Sequence, residues 1–446
     1  MTQRILIVGG VGGGATVAAQ IRRNNKQAKI IIFDKGDYIS FSNCGMPYYI
    51  GEVVADRSDI LIPTDQFMNK YDVDIRTNSE VISINRAANH IQYKNKSGTH
   101  QEAYDQLILS PGAQAIIPDF PGLDGNRTFA LHTIPDMDDI YTFIKINKPK
   151  TAAIVGAGFI GMEVLENLHA HGIQCTVIDR SKQVMKIVDE DLAATIQDHL
   201  KEKSVEVILE EGLDHFTNNG KTLVLQSGKN VDADMTILAL GIKPNTALAI
   251  KASLELGKTG AIKVNDFMQT NDPAIYALGD VTETKDFLTE TPRHIALAWP
   301  AHRQAFIIAS HLNGEKIPYN GTLGSAILKI FDLTVSATGL TSASLQKMGL
   351  LFKVATLTSY SHAKYFPGAE KLWMKVLFNG KDGTIYGAQV VGYDGVDKRL
   401  AVFATAIKAR LTVADLPELE LAYAPPYSNS KDPVNILGYK ASAMLK

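Results

Sequence analysis

The sequence predicts an α/β protein: two Rossmann-type dinucleotide-binding domains and a C-terminal α+β domain. Three observations predict it. A short apolar strand near the N-terminus runs into a cluster of glycines, Gly9-Gly10-Val11-Gly12-Gly13-Gly14. The strand–glycine–helix pattern returns at Ala152, with a complete G-x-G-x-x-G in Gly156-Ala157-Gly158-Phe159-Ile160-Gly161. From about Gly324 the composition changes to strand-like runs followed by helix. The length of 446 residues exceeds one hydrophobic core, so about two to four domains are expected.

The bulk numbers exclude several classes. A formal net charge of -2 gives no reason to expect nucleic acid or a membrane surface as partner. No apolar run reaches roughly 18 residues, so no transmembrane span is expected. Met1-Thr2-Gln3-Arg4 leads straight into a strand, which leaves no signal peptide to expect. Two cysteines cannot build a disulfide framework and suit a reducing cytoplasm.

Arg4 to Val8 reads as a buried strand, followed by the glycines and a helix over Ala15 to Arg23. Lys29 to Phe33 is the next strand, and Asp34 ends it. Glycines let backbone approach a pyrophosphate at a helix N-terminus, and an acid after the second strand takes ribose hydroxyls. Counting from Gly9 places Val11 and Gly14 at the later motif positions; counting from Gly10 gives Gly12 and Ala15. Gly9 is preferred because it follows the strand directly. On the helix, Thr16, Gln20 and Arg23 fall on one face as a polar stripe. The alternative is a solvated surface, with Arg22 and Arg23 favouring the helix C-terminus.

The segment Ile39-Ser40-Phe41-Ser42-Asn43-Cys44-Gly45-Met46-Pro47-Tyr48-Tyr49 holds one of the two cysteines. Gly45 and Pro47 predict a tight bend, and Ser40 and Asn43 offer hydrogen-bonding groups beside the sulfur. A buried structural cysteine is the alternative. The polar, aperiodic surroundings favour a working thiol, whose pKa a helix N-terminus or a flavin would lower.

Short strands with polar turns follow from Val81 to Ser97, then Tyr104 to Ser110; Gly112 ends the unit, and the chain crosses over through Pro118, Pro121 and Gly122. In the second Rossmann unit, Cys175 to Ile178 is the strand that ends at Asp179. That acid suits the free 2′-hydroxyl of NADH, while Arg180 or Lys182 would hold the 2′-phosphate of NADPH. Cys175, inside the strand, reads as inert packing. Lys243-Pro244-Asn245 leaves the unit after a strand over Met235 to Leu240. A short strand then delivers Asp280 at a Gly-Asp turn, placed to accept from a ribityl chain, and a helix over Trp299 to Leu312 completes the first domain. C-terminal strands are expected at Leu328 to Phe331, Phe352 to Thr358, Leu372 to Phe378 and Thr384 to Val391. Helices are expected from Val396 to Lys408 and near Val413. Tyr423-Ala424-Pro425-Pro426-Tyr427 reads as a rigid loop presenting two tyrosines.

Two dinucleotide units about 150 residues apart, a Gly-Asp flavin segment and a third domain together resemble the pyridine nucleotide-disulfide oxidoreductases over essentially the whole chain. The resemblance implies an FAD-binding domain in two parts, 1–115 and 245–323. An NAD(P)-binding domain, 116–244, is inserted between them, and 324–446 is a dimerisation/interface domain. A reductase of this family with two redox cysteines carries the second five positions after the first; Tyr49 stands there. Ser40 to Tyr49, the tail around Tyr423 and His362-Ala363-Lys364-Tyr365-Phe366-Pro367-Gly368 resemble the single-cysteine branch, in particular its group that reduces coenzyme A disulfide.

What that resemblance implies is specific. Cys44 is the redox cysteine, and Tyr365 and Tyr423 of one chain approach Cys44 of the other in a cytoplasmic homodimer with shared active sites. FAD would be held by Gly9, Gly10, Val11, Gly12, Gly13, Gly14, Asp34, Lys35, Val81, Gly112, Asp280 and Tyr423. NADH or NADPH would be held by Gly156, Gly158, Phe159, Ile160, Gly161, Glu163, Asp179, Arg180 and Gly241. Glu163 is also open to reading as an ordinary helix-start acid. Coenzyme A would meet Thr16, Gln20, Arg23, Ser40, Asn43, His302, Tyr427 and Lys431, with Lys70 or Tyr71 as a further contact. Phe366 stands where the group often has a second tyrosine. No metal is expected. The expected reaction is FAD-dependent reduction of coenzyme A disulfide by NAD(P)H through a Cys44–S–S–CoA mixed disulfide. The alternatives are a CoA-linked persulfide or polysulfide reductase, an NADH oxidase or peroxidase using a Cys44 sulfenic acid, and a flavoprotein redox sensor. Relatives that reduce peroxide carry a histidine at the position of Gly12, and its absence counts against that chemistry. With the sequence ending at Lys446, no added rhodanese domain is expected.

Overall fold

The computed structural model describes residues 2–445. They form two compact units. The first takes the residues up to Ile116, His132–Asp138 and Gly241–Thr322; the second takes Ile117–Leu131, Asp139–Leu240 and the residues from Leu323 on.

In the first unit, the strand Arg4–Val8 is aliphatic from Ile5 to Val8 and takes the centre of a five-stranded parallel sheet, where both faces are covered. Lys29–Phe33 and Gln106–Leu109 flank it, with Asp74–Arg76 and Ile275–Ala277 at the edges. Ile5, Leu6 and Ile7 are fully buried, each contributing roughly 1.5–3 kcal/mol by leaving water. One face packs under the helices Gly12–Asn24 and Ala298–Leu312. The other packs under an antiparallel sheet of Glu80–Asn85, His90–Asn95 and Gly98–Ala103. The short strands Ala113–Ala115 and Ile242–Pro244 pair where the chain leaves and re-enters this unit.

Two local expectations change here. The first helix begins at Gly12, not Ala15. Close tertiary packing of Gly13 against Ser110 and Leu278 overrides the poor helix propensity of glycine. The bend expected at Gly45 and Pro47 is instead a 3-10 turn, Asn43–Gly45, running into the helix Met46–Ile50. Proline in a helix's first turn loses no hydrogen bond, because its N–H would be unsatisfied there anyway.

The second unit holds another five-stranded parallel sheet, with Thr151–Val155 between Gln174–Asp179 and Met235–Leu238. A second five-stranded sheet is antiparallel, ordered Ala326–Ile330, Leu333–Gly339, Ile385–Gly392, Lys371–Phe378, Lys353–Tyr360. The helix Val396–Lys408 packs on that sheet through Leu400, Phe403 and Ile407. The strand expected to reach Phe331 stops at Ile330, because Phe331 turns the hairpin with φ +55°. The helix expected near Val413 does not form. Thr412 donates through its N–H and hydroxyl to Asp415 Oδ2 at 2.6 and 2.7 Å, making a turn that leads to a 3-10 turn, Leu416–Glu418. Side-chain bonds of this kind compete with helix. Among the described residues, no helix is long and apolar enough to cross a membrane.

Candidate functional site

The two glycine loops share one geometry. Gly9 and Gly156 have φ of +96° and +116°, and a Cβ on either would overlap a carbonyl oxygen, of Ser110 and Ala239 respectively. A Cβ on Gly14 would overlap the Gly9 carbonyl, and one on Gly161 the Gly156 carbonyl. Only glycine fits such backbone-on-backbone contacts. The Gly9 N–H donates to Phe33 O and the Gly156 N–H to Ile178 O, both at 2.8 Å. The Gly10 N–H donates to Asp34 Oδ2 and the Ala157 N–H to Asp179 Oδ2, both at 2.7 Å. The first loop therefore follows the register counted from Gly9.

Neither helix that follows has a side-chain cap or an acid in its first turn, so their first amide groups keep their donors for a ligand. A Cβ on Gly12 or Gly158 would meet nothing, which leaves open space over both turns. Burial pushes the Asp34 carboxyl up, against its bonds to the Gly10 and Gly36 amides and the nearby Lys35 charge. Burial also pushes Asp280 up, against the pull of His294 and His132. No described residue donates to the Asp280 carboxylate. A half-buried acid without donors fits a ligand that brings hydroxyls. The Gly279 amide is tied to Gln304 Oε1 at 2.7 Å, fixing that turn. These features fit a dinucleotide such as FAD. Lys35 is exposed beside Asp34, and Val81 lies half-buried in the hairpin sheet against the core. Gly112 and Gly241 both sit at the paired crossover strands with positive φ.

In the second loop, Asp179 Oδ1 accepts from the Ser181 amide at 2.8 Å. Burial raises the Asp179 carboxyl, but the bonds from Ala157 and Ser181 and the Lys186 charge hold it below the usual range. Lys182 is engaged by Glu190, whereas Arg180 is exposed. Phe159 and Ile160 open the helix Phe159–Ala170. Glu163 follows one turn later, half-buried, and no described residue donates a hydrogen bond to its carboxyl. Burial, then the neighbouring Glu166 charge, pushes it up to about 7. Cys175 is buried, and burial pushes its thiol up to about 12, which suits packing rather than reaction.

Cys44 is exposed, in the 3-10 turn between Ser42 and the helix Met46–Ile50. Its segment is fastened to the first glycine loop by the Ser40 N–H, which donates to Gly10 O at 2.9 Å. Ser40 has φ +49° to make that contact. Asn43 Nδ2 donates to His132 O at 3.3 Å. Gly45 approaches Ile60 so closely that a Cβ would collide with it.

The polar stripe acquires partners. Thr16 Oγ1 donates to Gly12 O at 2.7 Å and lies 2.9 Å from His302 Nδ1. With the hydroxyl proton spent on Gly12, the His302 ring donates from Nδ1. Gln20 is half-buried on the same face. Arg23 lies over the Tyr71 ring at 5.9 Å, and Lys70 Nζ lies 5.3 Å from its centroid. Lys70 and Tyr71, left as alternatives by the sequence, thus stand together with Arg23. Arg22 is not solvated: it is buried and bonds the carbonyls of Tyr71, Lys26 and Asp72.

In the second unit, the Tyr365 and Tyr423 hydroxyls lie 3.3 Å apart on exposed loops. The hydrogen bond to Tyr423 pushes the Tyr365 hydroxyl up. Tyr427 is exposed, and Lys431 Nζ sits over the Tyr439 ring at 5.7 Å. Sequence reading missed the base of these loops, where Ser361, Arg399, Ser428 and Asp432 meet in a buried network. A signal was present: Arg399 occupies an inward position of the helix between Val396 and Phe403. Among the described residues, no cluster of side chains is arranged to hold a metal ion.

A family model described as pyridine nucleotide-disulphide oxidoreductase matches residues 3–305, and that family's dimerisation domain matches residues 325–433. The chain is 40% identical over 442 residues to the coenzyme A disulfide reductase of Staphylococcus aureus strain JH9, covering 98% of this chain and 99% of the relative. The crystal structure of reduced Bacillus anthracis CoADR-RHD is similar with a TM-score of 0.98 and 47% identity, over 100% of this chain and 81% of that one. A NAD-dependent persulfide reductase from A. fulgidus is similar with a TM-score of 0.96 and 31% identity, over 99% and 83% of the two chains.

Proposed function

We propose, for a chain that belongs to the pyridine nucleotide-disulphide oxidoreductase family, that it is an NAD(P)H-dependent flavoprotein reducing coenzyme A disulfide to two CoA thiols. The observation that carries this reading is Cys44: it is exposed, Tyr49 stands five residues on, and the other cysteine is buried in a strand. Its redox partner is then a sulfur from outside the chain, and the relatives named for coenzyme A disulfide indicate which.

In this reading, the Cys44 thiolate attacks one sulfur of CoA disulfide. A Cys44–S–S–CoA bond forms, the CoA–CoA bond breaks, and the departing CoA thiolate takes a proton from the Tyr365–Tyr423 pair. NAD(P)H supplies the electron pair for the second half, and FAD, when bound, carries two electrons from a nicotinamide to a disulfide. Reduction of the mixed disulfide returns Cys44 to the thiolate and frees the second CoA, which leaves as a thiol. One NAD(P)H and one proton enter; NAD(P)⁺ and two CoA thiols leave.

The chain's residues have separate tasks. The amides of Gly12 to Gly14 hold the FAD pyrophosphate, Asp34 its ribose and Asp280 its ribityl chain. The amides over Gly158 to Gly161 hold the nicotinamide dinucleotide, and Asp179 takes its adenosine ribose. Glu163 is the nicotinamide-side acid. Arg23, Lys70 and Tyr71 form a cationic, aromatic seat for the nucleotide end of CoA, with Thr16 and His302 nearer the thiol end. The working unit is a cytoplasmic homodimer in which the tyrosine pair of one chain serves Cys44 of the other.

A steady-state assay tests this directly. CoA disulfide should drive NAD(P)H consumption with two thiols formed per nicotinamide. Cys44→Ser should abolish it while FAD stays bound. Oxygen uptake indifferent to CoA disulfide would replace the reading with an oxidase. The likeness to the A. fulgidus persulfide reductase supports a second reading, reduction of a CoA persulfide at the same sulfur; sulfide release from that substrate at a higher kcat/KM would favour it.

A further inference from the structure

The two tyrosines of the proposed proton donor lie on separate loops whose tips are exposed, and their own packing is slight. Tyr365 is 76% exposed and Tyr423 47%. Such side chains keep a fixed separation only if the loop bases are held. The bases meet at one buried side chain. Arg399, in the first turn of the helix Val396–Lys408, has only 1% of its side chain exposed. Its Nη2 donates to Ser361 O at 2.8 Å, at the start of the Tyr365 loop. The same nitrogen reaches Asp432 Oδ2 at 2.9 Å and Ser428 Oγ at 3.4 Å, both at the end of the Tyr423 loop. Nη1 donates to Gly395 O at 3.0 Å, and a Cβ on Gly395 would overlap that nitrogen.

The surroundings reinforce the link. Ser428 Oγ donates to Asp432 Oδ2 at 2.6 Å, and Asp432 Oδ1 caps the helix Pro433–Ser442 by accepting from the Val434 N–H at 2.9 Å. Burial pushes the Asp432 carboxyl up, yet the Arg399 charge, the Ser428 hydroxyl and the Val434 amide together hold it below the usual range. The loops also touch above the clamp: the Ala363 N–H donates to Pro425 O at 3.2 Å. Lys398, next to Arg399, donates to Tyr427 O.

We propose that Arg399 is a positioning residue for the tyrosine pair: its buried guanidinium joins the base of the Tyr365 loop to the base of the Tyr423 loop and so sets the spacing of the two hydroxyls. A planar fork is needed because Nε and Nη2 both face the Asp432 carboxylate, at 3.4 and 2.9 Å, while Nη1 holds Gly395 O; a lysine ammonium keeps the charge but not that spread of donors. The inference rests on the reading of Tyr365 and Tyr423 as the proton donor.

The test uses the full-length holoenzyme carrying Arg399→Lys, and separately Ser428→Ala as a milder change that leaves the Arg399–Asp432 pair intact. Amide hydrogen exchange reads the clamp, and kinetics reads its use. Exchange should rise in 361–368 and 422–428 and stay unchanged in the strand Lys371–Phe378. CoA thiol release should slow about a hundredfold, the scale of a reacting group displaced by about 1 Å, while flavin reduction by NADH keeps its rate. Adding Tyr365→Phe and Tyr423→Phe to Arg399→Lys should cause no further loss beyond the tyrosine double variant. Unchanged exchange in the two loops overturns the clamp. Raised exchange with unchanged thiol release, or a loss that multiplies with that of the tyrosine variants, overturns the positioning role. If the tyrosine double variant alone retains full thiol release, it is the reading of the tyrosines that fails, and the exchange data judge the clamp separately.

Discussion

Glu163 should titrate near neutrality, and removing its charge should change how the protein responds to pH. Its carboxyl is half-buried and receives no hydrogen bond from the described residues, and burial and then Glu166 push it from 4.5 up to about 7. An acid raised in this way contributes stability that is complete below 4.5 and is lost as pH climbs through about 7. At 1.36 kcal/mol per pH unit that gap is worth at most about 3 kcal/mol; partial access to water lowers it to roughly 2 kcal/mol. Glu163→Gln removes the titration while keeping the shape. In urea unfolding followed by circular dichroism, the variant should gain roughly 2 kcal/mol on wild type between about pH 5 and pH 8. Glu166→Gln should remove part of the shift, bringing the Glu163 titration, followed by carbon NMR, closer to 4.5. A wild-type-minus-variant difference constant across that range, or a Glu163 titration at the ordinary carboxylate position, would refute the reasoning.

Other expected outcomes follow from single contacts. Gly161→Ala puts a methyl group into the Gly156 carbonyl, so the nicotinamide KM should rise at least about tenfold; retained FAD absorbance and an unchanged KM would contradict the shared loop geometry. Asp280→Ala should weaken FAD retention, because the donor-less carboxylate no longer meets the ribityl hydroxyls; dialysis followed by flavin quantitation reads it. Arg23→Ala and Lys70→Ala should each raise the KM for CoA disulfide several-fold, more at low salt than at high salt, with flavin reduction unaffected. Tyr365→Phe should slow thiol release by about a hundredfold or more and leave the NADH half-reaction intact, which rapid-mixing absorbance separates.

Local chemistry decided what could be read from the sequence. Both glycine loops were legible because the pattern reports a physical need: Gly9, Gly14, Gly156 and Gly161 sit where any Cβ meets backbone oxygen. The acids Asp34 and Asp179 were legible for the same reason, since each ends a strand and caps its loop. Where propensity competed with tertiary context, the reading slipped. Gly12 and Gly13 joined a helix that their type disfavours. Pro47 suggests a bend by residue type, although its place in the first turn of a helix costs nothing. Near Val413, the Thr412–Asp415 bonds outweighed the helical pattern. The Thr16–His302 contact joins residues 286 positions apart, so no periodicity could reveal it. Arg399 was passed over because a charged residue on a helix usually faces water, and its acceptors come from loops on either side of it in the chain.

The central claim is that Cys44 alone carries the protein half of the disulfide exchange, with coenzyme A as the other half. Intact mass spectrometry of the reduced holoenzyme after one equivalent of CoA disulfide tests it most directly. The account predicts one adduct with the mass of a single CoA, lost on thiol reduction, absent from Cys44→Ser and mapped to Cys44 by peptide analysis. An unmodified Cys44, a sulfenic acid formed in its place, or an adduct that survives Cys44→Ser would contradict it.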